Sequence, residues 1–234
     1  MPRPVLLNNI EHRDLCIDTR RSAALGDAVM FAPTFPSEFR NVQAHYPIVF
    51  AKTPDGTSFQ AVALFGLREG ENRFLANAGW DALHVPMLIE RQPFLIGMAE
   101  GEPVVHVDMD SPRVGTVGEA VFQAHGGTTD YLERVSSLLL AIHDGLQAAP
   151  AFVAALLAHE LLEPFVLDVE GDDGAQHRLA GFYTIHEERL AALDAGALDA
   201  LHRAGHLQSI YLVVASMSQF GSLIKRRGSA GVDG

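Results

Sequence analysis

One cysteine, one tryptophan and a shortage of positive charge set the first limits on this 234-residue chain. A lone Cys16 excludes an intramolecular disulfide and any zinc site built on several cysteines. Set in Leu15-Cys16-Ile17, it reads as a small buried apolar residue. Lys and Arg number 17 against 29 Asp and Glu, a formal net charge of -12. That balance argues against a nucleic-acid partner, which requires a concentrated basic surface, and against docking on anionic lipid. Long apolar runs are scarce as well. The two longest candidates, residues 152–162 and 210–217, are interrupted by His159 and Glu160 or bounded by Ser216 and Gln219. Both fall short of the ~20 residues a membrane helix needs. Nor does Met1-Pro2-Arg3-Pro4 open a signal peptide, because only three apolar residues follow before Asn8-Asn9. The expectation is a cytoplasmic protein without membrane insertion.

Hydrophobic residues at 48% and charged residues at 20% are ordinary globular values, enough to bury a core. One domain over residues 1–227 is expected, with a disordered 228–234 tail. Residues 47–52 and 58–64 flank Thr53-Pro54-Asp55-Gly56-Thr57, a proline-then-glycine turn between two β-rich runs, which predicts a hairpin. Residues 94–98 and 104–107 predict a second, with Pro103 tolerable only at the start of an edge strand. A third spans 165–169 and 177–184 around Glu170-Gly171-Asp172-Asp173-Gly174. The short runs Val5-Leu6-Leu7 and Leu15-Cys16-Ile17 read as edge strands, and Pro36 suits the start of a short helix carrying Phe39 and Val42. Residues 66–84 read as a long loop or short irregular elements, and 85–90 as a brief helix from near Pro86.

After Gly126-Gly127 helical spacing takes over. Asp130 with Glu133 resembles a capping box, and Leu132, Val135, Leu138, Leu139, Ile142 and Leu146 predict an amphipathic helix ending near 145–147. Pro150 opens a second helix, which Pro164 stops. Short helices at 187–193 and 197–204 follow, the latter closed by Gly205, and a last helix runs over 207–225. Strands do not alternate with long helices, so a parallel doubly wound sheet is disfavoured. The class expected is α+β: antiparallel hairpins packed with a mostly helical C-terminal half.

Catalytic motifs are absent in their usual forms. There is no Gly-x-Ser-x-Gly elbow, and Gly115-Thr116-Val117-Gly118 and His125-Gly126-Gly127 match neither a P-loop nor a dinucleotide fingerprint. His106-Val107-Asp108 places two metal-ligand types on one face of a strand and, with a distant histidine, has the form of a non-haem iron site. His202 and His206 have helical metal spacing, but Gly205 between them ends the helix. No cofactor is implied and the catalytic residues are unknown. What remains is an aromatic–arginine constellation: Tyr46, Arg68, Arg73, Trp80, Arg91 and Phe94. Such a set suits recognition of a peptide or a carboxylate-bearing ligand, since Arg pairs with carboxylate through two donors. A core tryptophan with surface arginines fits the same residues.

Tyr46-Pro47-Ile48-Val49-Phe50, Ala63-Leu64-Phe65-Gly66-Leu67, Asn72, Gly79-Trp80, Pro86 and Arg91-Gln92-Pro93-Phe94 together resemble the SapC-like family of bacterial proteins. The likeness continues through Gly118-Glu119-Ala120-Val121-Phe122, Leu179-Ala180-Gly181-Phe182-Tyr183, Leu190 and Gly205-His206-Leu207, so it covers nearly the whole chain. The family takes its name from surface-layer (S-layer) protein export loci. Its members tend to accompany TonB-dependent receptors, flavin-dependent tryptophan halogenases and cupin-like hydroxylases. The family pattern resembles this chain at Asp108 more than at His106. The resemblance implies an accessory protein that recognises a peptide or protein partner in surface-layer, TonB-dependent uptake or peptide-modification loci. The alternatives are a metal-dependent oxygenase using His106, Asp108 and a distal histidine, and a homo-oligomeric structural component.

Overall fold

The computed structural model describes residues 3–76, 79–99, 101–170 and 176–226. Two short strands, β1 (Pro4–Leu6) and β2 (Cys16–Ile17), come first, then β3 (Phe31–Pro33) and a single helical turn, α1 (Phe39–Val42). The hairpin of β4 (Ile48–Lys52) and β5 (Phe59–Leu64) follows, with β6 (Leu75–Ala76), β7 (Gly79–Trp80) and a second short helix, α2 (Met87–Glu90). Strands β8 (Phe94–Ala99), β9 (Glu102–Asp108), β10 (Val114–Gly115) and β11 (Glu119–Ala120) lead into the long helix α3 (Asp130–Ala158). The last hairpin joins β12 (Leu162–Glu170) to β13 (Gln176–Ile185). Helices α4 (Glu187–Ala191), α5 (Ala195–Arg203), α6 (His206–Ser216) and α7 (Gln219–Lys225) close the described chain. Antiparallel sheets with a helical C-terminal region make this an α+β fold, as expected.

The largest sheet has the order β12-β13-β4-β5-β3, every pair antiparallel. Ile48, Val49 and Phe50 in β4 and Ala61 to Leu64 in β5 are all buried, so both faces of this pair are covered. Phe152 of α3 meets Phe50 at 6.4 Å, and Ser216 at the end of α6 accepts the Ile48 amide at 2.9 Å. The expected turn closes the hairpin: Asp55 accepts the hydroxyls of Thr53 and Thr57, and Gly56 takes a positive φ. A smaller core of Leu15, Ile17, Phe94, Val107, Val121 and the first half of α3 lies beneath the sheets β1-β9-β8 and β10-β2-β11.

Several boundaries differ from expectation. Helix α3 runs unbroken through Gly145 and Pro150. Gly145 is buried where a Cβ would overlap the Phe35 ring, so this glycine allows close packing and does not stop the helix. Pro150 frees the carbonyl of Leu146, and both residues sit on the exposed face, where water can take it. By length and composition, α3 and the run His206–Lys225 are long and apolar enough to cross a membrane, which the interrupted apolar runs had not suggested. The N-cap is Thr129, whose side chain accepts the Leu132 amide, one residue before the expected Asp130. At the other end Glu160 adopts φ 54, and Leu161 N–H reaches Leu156 C=O at 2.9 Å, the Schellman pattern usually given to glycine.

Pro164 lies inside edge strand β12, not after a helix. Pro103 sits in the central strand β9, but β1 pairs with β9 only over His106 to Asp108, so one side of Pro103 stays open. β1 is the edge strand expected, whereas β2 is central between β10 and β11, and Cys16 is only half-buried. The final helix breaks at Met217-Ser218 into α6 and α7. The expected 228–234 tail lies outside the described residues.

Candidate functional site

The α1 region reads Phe35, Glu38, Phe39 and Val42, a helical i, i+3, i+4, i+7 face, and all four residues are fully buried. Glu38 therefore occupies a core position with a carboxylate that needs donors. It has them. Thr34 Oγ1 donates to Oε2 at 2.7 Å, the Met87 amide donates to Oε1 at 2.7 Å, and His84 Nε2 lies 3.0 Å from the same oxygen. The chain continues from His84, whose carbonyl accepts the Tyr46 hydroxyl at 2.5 Å. That hydroxyl in turn accepts the Trp80 Nε1–H at 2.7 Å.

Tyr46 has no exposed surface, and its ring packs on Phe65 and Phe74 with centroids 5.3 and 4.6 Å away. Burial pushes its phenol far above the usual range, against the opposing Trp80 hydrogen bond. Beside it, burial lowers the His45 pKa, helped by the His84 and Arg226 charges. Arg226 lies over the Phe74 ring at 4.3 Å and pairs with Asp81 at 2.5 Å.

These contacts brace one loop, residues 81–86. It is tied at Asp81 by Arg226, at the His84 carbonyl by Tyr46, at the His84 ring by Glu38, and just beyond by the Glu38 bond to Met87. Between the ties Leu83 is 97% exposed. A carboxylate orienting an imidazole also has the form used for proton transfer. Here, among the described residues, no side chain hydrogen-bonds His84 Nδ1, and the remaining bonds of Glu38 serve Thr34 and the loop backbone.

The predicted constellation does not meet in one cleft. Tyr46 and Trp80 stand together, with centroids 6.5 Å apart. Arg73 turns to the end of α7, where its Nη1 donates to the carbonyls of Leu223, Ile224 and Arg226 while Nε bonds Glu71. Arg68 is exposed. Arg91 is half-buried, donates to the Phe94 carbonyl at 2.6 Å, and has its pKa lowered by burial. Phe94 is fully buried in the smaller core, 6.1 Å from Tyr131. An open, mainly apolar groove of about 620 Å³ runs along residues 28–31 against Glu69 and Gly70, and none of these six residues lines it. His106 and Asp108 share a strand face as expected, but Asp108 accepts the Arg3 and Asp110 amides. Among the described residues no three His, Cys, Asp or Glu side chains come together to hold a metal, so the pair finds no third ligand.

Sequence reasoning missed Glu38, His84 and Leu83. Glu38 carried a signal, an acidic residue in a helical apolar register. His84 and Leu83 carried none.

A family model described as SapC matches residues 7–223. No curated protein and no solved structure matches the chain.

Proposed function

The chain belongs to the SapC family, and from that premise we propose that it is an accessory protein that binds a peptide or protein partner through the braced loop at Leu83. The carrying observation is a large apolar side chain, 97% exposed, on a loop tied before it by the Asp81 amide to the carbonyl of buried Phe74 and after it by bonds of His84 and Met87 to buried Tyr46 and Glu38. A preorganised apolar anchor supports binding because little conformational freedom is lost when the partner closes over it. Tyr46 and Trp80 then act as the brace behind the contact. The partner is sought among products of surface-layer, TonB-dependent uptake or peptide-modification loci, and the site of action is the cytoplasm.

The test is titration calorimetry of the purified chain against proteins encoded beside it. Leu83→Asp should weaken binding by about 30-fold or more, the scale of a hot-spot residue. Ile10 and Val117 are also highly exposed, at 82% and 83%, and Ile10→Asp and Val117→Asp should leave binding unchanged. Equal loss in all three variants, or none in Leu83→Asp, would overturn the assignment. The alternative oxygenase reading gains no support from the donor set around His106 and is not carried forward.

A further inference from the structure

A second polar centre lies where the segment before β3, the start of β10, α2 and the first turn of α3 converge. Arg113 is the largest fully buried side chain among the described residues, 1% exposed. Its Nη1 donates to the carbonyls of Asp18 and Arg20 at 3.1 and 2.7 Å, and its Nη2 to Asp27 Oδ1 at 2.7 Å. Arg21, 14% exposed, reaches the same Asp27 oxygen at 3.5 Å and the Ile89 carbonyl at 3.1 Å, both through Nη1. Asp27 has no exposed surface and spends Oδ2 on the Ser22 amide at 2.9 Å.

The charges do not balance. Two guanidinium groups, both largely removed from water, share one carboxylate. The Arg113 Nε–H is buried with no partner. Tyr131, half-buried in the first turn of α3 and packed on the smaller core, lies within electrostatic reach of both, and its hydroxyl makes no hydrogen bond among the described residues. Burial pushes the Tyr131 phenol up to about 12, opposed by the charges of Arg21 and Arg113. Of the other carboxylates that act here, Asp18 is paired with Arg20, and Glu90 and Glu119 are exposed, where solvent and salt screen them.

We propose that this centre is a binding site for a single carboxylate group, held by Arg21 and the Tyr131 hydroxyl, with Arg113 supplying fixed charge from behind. Nη1 of Arg21 is engaged, which leaves its Nη2–Nε edge, the planar two-donor face that matches a carboxylate. The charge sets the class. One excess positive charge is neutralised by a monoanion, whereas the dianionic form of phosphate would reverse it. Such a carboxylate is one carried by an organic acid or a peptide. This site is independent of the Leu83 loop.

Arginine Nε–H resonances of the ¹⁵N-labelled full chain provide the test, with sodium acetate and sodium phosphate titrated separately against sodium chloride at constant ionic strength. Acetate should shift the Arg21 and Arg113 signals saturably, with a dissociation constant on the order of millimolar, as one charged pair allows. Phosphate should act at least several-fold more weakly, and chloride not at all. Arg21→Gln should abolish saturation while backbone amide signals distant from the site stay in place. Tyr131→Phe, which keeps the ring, should weaken acetate about tenfold, the effect of one hydrogen bond to a charged group. Shifts that never saturate, or saturation that survives both substitutions, would overturn the site. Phosphate matching acetate would overturn the carboxylate assignment.

Discussion

Gly145 is the residue whose context most changes what its chemistry would suggest. In the interior of an exposed helix, replacing glycine by alanine stabilises by about 1 kcal/mol. At this position the added methyl overlaps Phe35, which is itself fully buried. Overpacking of that kind costs ~1–3 kcal/mol, so Gly145→Ala should lower stability in urea melts. Adding Phe35→Leu should cost less than the sum of the two single changes, because the smaller side chain makes room. A stabilised Gly145→Ala would mean that the helix shifts freely. Acid sensitivity also belongs to single residues. Arg20 hydrogen bonds hold the Asp18 carboxyl near 2, and the Thr53 and Thr57 hydroxyls hold Asp55 near 2, against an ordinary value of 3.8 for each. Both are depressed in the folded state, so their stabilisation is complete above about pH 4 and is lost as pH falls from there toward 2. His45, lowered by burial, adds a loss of stability as pH falls through 6.5, because the unfolded chain binds that proton more readily. Plotted against pH, the urea midpoint should fall in two steps. Asp18→Asn should reduce the lower step and His45→Gln the upper one.

Among the elements, α7 depends on a residue far from it in the chain. Arg73 satisfies carbonyls at the end of α7, groups that a helix leaves unpaired, and complements the helix dipole there. Arg73→Ala should cost about 2 kcal/mol, the scale of hydrogen bonds from a charged group. Amide exchange should rise over 219–226 and hardly at all in β4. Uniform acceleration would show instead that Arg73 supports the whole fold. How far such elements could be read from the chain varies with what competes locally. The β4–β5 hairpin was legible because turn chemistry at Thr53 to Thr57 and the apolar runs agree. The continuity of α3 was not, since Gly145 and Pro150 punctuate a helix only when nothing tertiary overrides them, and here Phe35 and an exposed carbonyl do. Gly181 was legible only as part of a family motif. Its φ of 88 and the register shift show why it stands there: Ala180 and Gly181 of β13 oppose the single Val166 of β12, a bulge that glycine allows.

At the scale of the molecule, the two polar centres differ in how much of them the sequence disclosed. Glu38 sat in an apolar register beside Phe35 and Phe39, so a buried carboxylate was readable there. Arg113 follows Ser111-Pro112 with no periodicity, and its burial depends on the distant Asp27. The candidate recognition residues were split for the same reason, because long-range packing sent Tyr46 and Trp80 to one core and Phe94 to the other. Those cores are unequal. The larger includes the five-stranded sheet with parts of α3, α6 and α7, while the smaller has, among the described residues, eight buried ones beneath two three-stranded sheets. Less buried apolar area means less free energy holding that half closed. Native-state hydrogen exchange should therefore show β8, β9 and β2 opening at a lower free energy than β4 and β5. Val107→Ala, at a fully buried position in β9, should cost about 2 kcal/mol and lower protection there without touching β4. Phe50→Ala should lower protection in both halves, because the smaller core cannot stay folded without α3 anchored on the large sheet by Phe152. Equal loss of protection in β4 and β9 on Val107→Ala would instead make the molecule a single cooperative unit.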